Sequence, residues 1–376
     1  MKKYTILSLS FSLVLFACTK NPTTPTTPVY TVPTTYSFTD VNYHNQLVLL
    51  SMADQVVATI NTANSTPNTP VSAQLLTDMF NNVGSHFNDS SLQLNNSGLR
   101  LSDWFSQTAK ADMLNYFDSV GVYSQSSLTA SPGVAGVASS VANASKKYLL
   151  SPNGIFYSQV IKKSFMGAFA YQIANVYMAD SINSTSDTTV LAHYWDAAFG
   201  FFGVPVNFPG STSGLRYFGS YSNQVNAGLN SNTYIMNAFL TGRAAIGAGD
   251  LTTMRYEANQ LISLFDTLDA ACIVQEMHET NTNIEAGDAV AAYGTLSESL
   301  GFVRNLTYNT GRRVISQAQI LALEGLYDKT NLTTPNLYNF VGANVNTTAE
   351  IEAKTNAIQQ LVGQVYGFTA AQLPNL

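Results

Sequence analysis

The stretch Ser102-Asp103-Trp104-Phe105-Ser106-Gln107-Thr108-Ala109-Lys110-Ala111-Asp112-Met113-Leu114-Asn115-Tyr116-Phe117-Asp118-Ser119-Val120 decides the fold class. It opens with Ser-Asp and carries Trp104, Phe105, Met113, Tyr116 and Phe117, which reads as an amphipathic helix with an aromatic face. The same period recurs on both sides. From Tyr43 to Ile60 it is kept by Leu47, Leu50, Val57 and Ile60, and residues 61–70, with Asn, Thr and two prolines, break it. Further helices are predicted over 71–81, 135–149, 151–179, 190–203, 233–248, 251–266, 269–283, 286–305, 316–326 and 348–365. Ser316 and Gln319 approximate a capping box. Strand signals are short and scattered, so the expected fold is all-α, a helical bundle. Residues 89–98 read as loop, and Pro205 to Asn232, rich in Gly, Asn, Ser and Tyr, is the longest irregular piece, of a length that tends to be functional.

The opening of the chain carries an address. Lys2 and Lys3 precede an apolar core from Tyr4 to Phe16, and Leu15-Phe16-Ala17-Cys18 ends it, as in the signal peptide of a bacterial lipoprotein lipidated at Cys18. The Pro/Thr-rich tract after Cys18 suits an extended tether rather than a core. The expected organisation is a signal peptide over 1–17, a lipidated tether over 18–35 and a helical domain over 36–376, with two packed sub-bundles as one arrangement of it. Two or more acyl chains hold a protein durably at a bilayer. Lys20-Asn21, in place of an acidic run, favours the periplasmic face of an outer membrane.

The net charge is −6, and removal of the leader deletes Lys2 and Lys3 and no acid, which gives −8. Nucleic acid wants a basic face and is excluded as a partner. Only 11% of residues are charged while 45% are hydrophobic, and Asn, Thr and Ser fill the surface positions. With Cys18 lipidated, Cys272 is left alone in Ala270-Ala271-Cys272-Ile273-Val274 and reads as a small buried hydrophobe.

Candidate chemistry is sparse. Of the four histidines, His44, His86, His193 and His278, two sit in related helical settings. In His193-Tyr194-Trp195-Asp196, imidazole and carboxylate share a helix face, where they either bind each other beside a core Trp195 or jointly hold a cation or a ligand polar group. In His278-Glu279-Thr280-Asn281 the same step separates His278 from an amide, and Thr282 stands where a zincin helix needs its second histidine. Gly210-Ser211-Thr212-Ser213-Gly214 places Thr212 at the centre, so it is no nucleophile elbow, and phosphate and dinucleotide loops are lacking. No catalytic set is assigned. The loop residues Phe208, Arg216, Tyr217, Phe218 and Tyr221 either stack on a sugar or aromatic ligand or seal the loop onto the core.

Three segments carry a resemblance: His193 to Pro205, Arg216-Tyr217-Phe218-Gly219-Ser220-Tyr221-Ser222-Asn223, and Gly242-Arg243-Ala244-Ala245-Ile246. With them the chain, from about Tyr36 to its C-terminus, resembles a family of bacterial lipoproteins that carry a domain of unknown function (DUF 4856). More distantly it is similar to imelysin-like proteins, two-bundle helical domains associated with iron acquisition, whose signature is Gly-x-His-x-x-Glu. His193-x-x-Asp196 keeps the step and the acid, and Leu191 takes the glycine position. The resemblance implies a ligand-binding or accessory role, with iron or a haem-like compound as cofactor or cargo. The site it implies is lined by His193 and Asp196, with His278 as their counterpart and His193 and Asp196 as metal ligands; Trp195, Glu279, Arg243, Arg216 and Tyr217 are further ligand-binding candidates. The alternatives are a glycan-binding outer-membrane lipoprotein and a peptidase-like hydrolase.

Overall fold

The structure, a computed structural model, describes residues 28–88, 91–312, 314–327, 334–342 and 348–376. In chain order the elements are α1 (His44–Ser65), α2 (Ala73–Phe80), α3 (Gln107–Tyr123), the strands β1 (Gly136–Ser139) and β2 (Lys147–Leu150), α4 (Tyr157–Tyr171), a π-helical turn (Gln172–Met178) and α5 (Ala179–Asn183). There follow α6 (Thr188–Phe202), α7 (Phe218–Gln224), α8 (Asn226–Leu229), α9 (Ser231–Gly247), α10 (Leu251–Glu285), α11 (Ala289–Tyr308), α12 (Gln317–Gly325), α13 (Leu337–Val341) and α14 (Thr348–Tyr366). The fold is all-α, a helical bundle with one two-stranded antiparallel hairpin among the described residues.

Helix α10 is the axis of the bundle. It packs most extensively on α11, α9 and α14, and α11 packs in turn on α4. Two glycines let these helices approach closely. A Cβ on Gly301 would lie 2.5 Å from Lys163 Cβ, and one on Gly242 would lie 2.0 Å from the Trp195 ring. Both positions therefore exclude even a methyl group. One contiguous buried cluster joins the helices, with Tyr36 stacked on Phe199 at 3.8 Å and Phe202 packed on Phe208, Phe239 and Phe265. Helix starts are set by side-chain caps: Ser106 accepts from Ala109 N–H, Asp250 from Thr253 N–H, and Ser316 with Gln319 forms the full capping box that the sequence suggests.

Four local expectations are corrected. Residues 135–149 lie in a hairpin: the turn at Asn143 folds the chain back so that β1 pairs with β2, and Gly136 leaves room for the Leu128 carbonyl, which accepts from the Val137 amide. The helix expected from Ser102 begins at Gln107, since Ser106 is the residue that caps it and Leu101–Trp104 forms a 3-10 turn. Residues 251–266 and 269–283 are one 35-residue helix with no break between them. The stretch 205–232 is less irregular than expected, holding α7 and α8.

Candidate functional site

The residues nominated from sequence do not form one site. Asp196 is buried and its carboxylate is occupied: Oδ1 accepts from Arg243 Nε at 2.9 Å and from Tyr36 Oη at 3.0 Å, and Oδ2 from the Asn42 amide at 3.2 Å. Arg243 completes the cluster by lying over the Phe38 ring at 5.1 Å. His193 is exposed on the same helix, so the expected His193–Asp196 pair does not form. Trp195 is fully buried against Gly242 and Phe239, as core. These residues hold the segment before α1 to α6 and α9, a structural job in which burial of the Tyr36 phenol, next to the Asp196 charge, pushes its pKa well up.

The second group is equally committed. His278 sits between Gln359, 3.3 Å from Nδ1, and the Leu373 carbonyl, 2.9 Å from Nε2, which ties α10 to α14 and the C-terminal turn. Glu279 bonds Gln275 one turn back. Arg216 pairs with Asp54 on α1. The loop aromatics face inward: Phe208, Tyr217, Phe218 and Tyr221 are buried, and the Tyr217 ring packs edge-on to Phe169 at 5.3 Å, so of the two alternatives they take the one that seals the loop onto the core. Cys272 is buried, and burial raises its thiol pKa well above the usual range. Among the described residues no group of three or more His, Cys, Asp or Glu is arranged to hold a metal ion, so the metal assignment of His193 and Asp196 gains no partner. Cys18 lies outside the described residues.

A different place has the shape of a site. A cleft of about 480 Å³ opens between α3, α4, α11 and α12, and is lined by Asp112, Asn115, Tyr116 and Ser119 of α3, Tyr157 of α4, Arg304 of α11 and Glu324 of α12, over an apolar floor that includes Val160 and Val303. Arg304 donates from Nε to Asp112 Oδ2 at 2.5 Å and from Nη2 to Asp112 Oδ1 at 3.0 Å, and Nη1 lies 3.7 Å from Glu324 Oε1. Tyr308 Oη donates to Asp112 Oδ2 at 2.9 Å from behind. The Tyr157 ring packs against Tyr116 and Tyr123, with centroids 5.7 and 6.0 Å away. Burial raises the pKa of Tyr116, and the Asp112 charge adds to it; burial also raises that of Tyr157, so both phenols stay neutral donors. Burial opposes the charge on Arg304, but hydrogen bonds and charge from Asp112 outweigh it and keep the guanidinium ionised.

The lining defines what fits. One guanidinium stands between two carboxyl groups, a formal charge of −1, which disfavours an anion. Tyrosine rings beside paired hydrogen-bonding groups suit a neutral ligand with apolar faces and many hydroxyls. Two i,i+4 pairs, Asp112 with Tyr116 and Arg304 with Tyr308, are visible in the sequence. Their meeting across 192 residues is not, since no local pattern encodes it.

The chain matches the family described as Domain of unknown function (DUF4856) over residues 33–368, and it belongs to that family. No curated protein and no solved structure matches it.

Proposed function

We propose that this is a binding domain that captures a neutral, polyhydroxylated ligand of the glycan class in the Asp112–Arg304 cleft, presented at the cell envelope by a lipid on Cys18. The observation that carries the reading is the cleft itself, in which Arg304 is held in a fixed plane by Asp112 while tyrosine rings and the Asn115 and Ser119 side chains line the adjoining walls. A preorganised guanidinium and carboxylate can exchange paired hydrogen bonds with vicinal hydroxyls, and aromatic rings cover the apolar face of a sugar. Iron or haem is less well supported, because the His193–Asp196 pair that suggested it is not assembled. Among the described residues that line this cleft there is no histidine or cysteine, so a Ser–His or Cys–His pair does not support the hydrolase reading.

The test is calorimetric titration of the mature chain with maltohexaose, cellohexaose and mannohexaose, set against a hexamer of galacturonic acid. At least one neutral oligomer is expected to bind in the roughly micromolar to millimolar range, with the uronic acid oligomer much weaker. Absence of binding by all three neutral oligomers, or equal or tighter binding of the acidic one, overturns the proposal.

A further inference from the structure

A buried chain of ionisable groups joins α4, α7, α10 and α11. Lys163 of α4 is fully buried; its Nζ contacts Glu298 Oε2 of α11 and lies 4.7 Å from the Tyr221 ring centroid and 5.4 Å from that of Phe302. Tyr221 Oη of α7 is 2.7 Å from Glu298 Oε2 and 3.1 Å from Glu276 Oε1 of α10. Glu276 is 1% exposed, and its Oε2 has no partner among the described residues.

A phenol carries one proton and donates one hydrogen bond, whereas an ionised carboxylate only accepts. Two close oxygen–oxygen contacts at Tyr221 Oη therefore require a second proton. Glu298 is in contact with the ammonium of Lys163 and is the natural carboxylate; Glu276 feels the Lys163 charge without an ion-pair contact to it and is the natural acid. The hydrogen bonds then run from Glu276 Oε1 to Tyr221 Oη, from Tyr221 Oη to Glu298 Oε2, and from Lys163 Nζ to the same carboxylate. We infer that Glu276 holds a structural proton, that Tyr221 links this acid by hydrogen bonds to the Glu298–Lys163 pair, and that this junction of α4, α7, α10 and α11 is a pH-sensitive device that loosens when the proton leaves.

Burial pushes the Glu276 carboxyl well above the usual range, with the Glu298 charge adding to it. Burial also acts to raise Glu298, but the Lys163 charge and hydrogen bonds from Lys163 and Tyr221 overcome it and hold that carboxyl low. The other titratable and charged groups facing Glu276 are Cys272 and Glu279 on α10, Lys162 on α4 and Tyr327 after α12; of these only Lys162 is a further cation, and burial lowers its pKa. A carboxyl whose folded pKa is raised contributes stability that is complete below its unfolded value, about 4.3, and is lost as pH rises toward the folded value. The device stands on the junction alone and is independent of the cleft.

The experiment follows the melting temperature of the full chain and of Glu276→Gln between pH 5 and pH 9, with infrared difference spectra of the carboxyl stretch at pH 7. Glutamine mimics the protonated acid, so the two chains are expected to melt nearly together at pH 5, and the variant to melt about 2–4 °C above wild type at pH 9. The wild-type spectrum should hold a protonated-carboxyl band that Glu276→Gln removes. A melting difference independent of pH, or a band unchanged by the substitution, overturns the inference. Should Glu276→Gln fail to fold, Tyr221→Phe decides: it removes the bond from Glu276 and must move the band to higher frequency, and an unmoved band refutes the link.

Discussion

Arg304 grips Asp112 with two parallel hydrogen bonds, Nε to Oδ2 at 2.5 Å and Nη2 to Oδ1 at 3.0 Å, and so fastens α11 to α3 at the wall of the cleft. The fork geometry needs a planar guanidinium, and lysine cannot reproduce it. Arg304 is 31% exposed and Asp112 16%, so solvent screens part of the interaction. Arg304→Lys is therefore expected to lower stability by about 1–2 kcal/mol, read as a shift of the urea midpoint, and to abolish ligand binding in the cleft.

The Asp196–Arg243 pair should behave differently because both partners are buried. Arg243→Ala leaves a carboxylate inside the protein facing Tyr36 and the Asn42 amide, and is expected to cost about 3–5 kcal/mol. His193→Ala, on an exposed face of the same helix, is expected to change stability by less than about 0.5 kcal/mol. Equal losses for the two variants in urea unfolding would restore a paired role for His193.

Asp288 gives a second, opposite pH dependence. It caps α11 by accepting from the Ala291 amide at 3.0 Å and holds the hairpin loop through Ser140 Oγ and the Ala142 amide. Burial acts to raise its carboxyl pKa, but these hydrogen bonds prevail and hold it below the ordinary value. A lowered folded pKa adds stability above the unfolded value that is lost as pH falls through the folded one. Asp288→Asn is expected to cost about 1–2 kcal/mol at pH 7, with the difference from wild type closing toward pH 3 in denaturant titrations.

The helices were legible because their apolar period and caps are local. The capping box at Ser316 and Gln319 is an instance in which four consecutive residues hold the whole signal. Residues 135–149 misled because small apolar residues satisfy either period, and the pairing of Gly136–Ser139 with Lys147–Leu150 is not marked by any local turn signal. His193 and Asp196 looked paired because a three-residue step keeps side chains on one side of a helix. They are still about 60° apart around it, enough for one to face the core while the other faces water. The cleft was illegible for another reason. Asp112 and Arg304 each look like an ordinary solvated charge, and their meaning comes from a tertiary contact that no local pattern encodes. The same holds for the Lys163–Glu298 pair.

The most direct measurement of the central claim is titration of the tightest-binding neutral hexasaccharide into wild type, Asn115→Ala and His193→Ala. Asn115 lines the cleft from an exposed position on α3, so its replacement should leave the fold intact. The account expects Asn115→Ala to weaken binding about tenfold, the loss of roughly 1.4 kcal/mol of polar contact, and His193→Ala to bind as wild type does. Unchanged affinity in Asn115→Ala together with a loss in His193→Ala would contradict it.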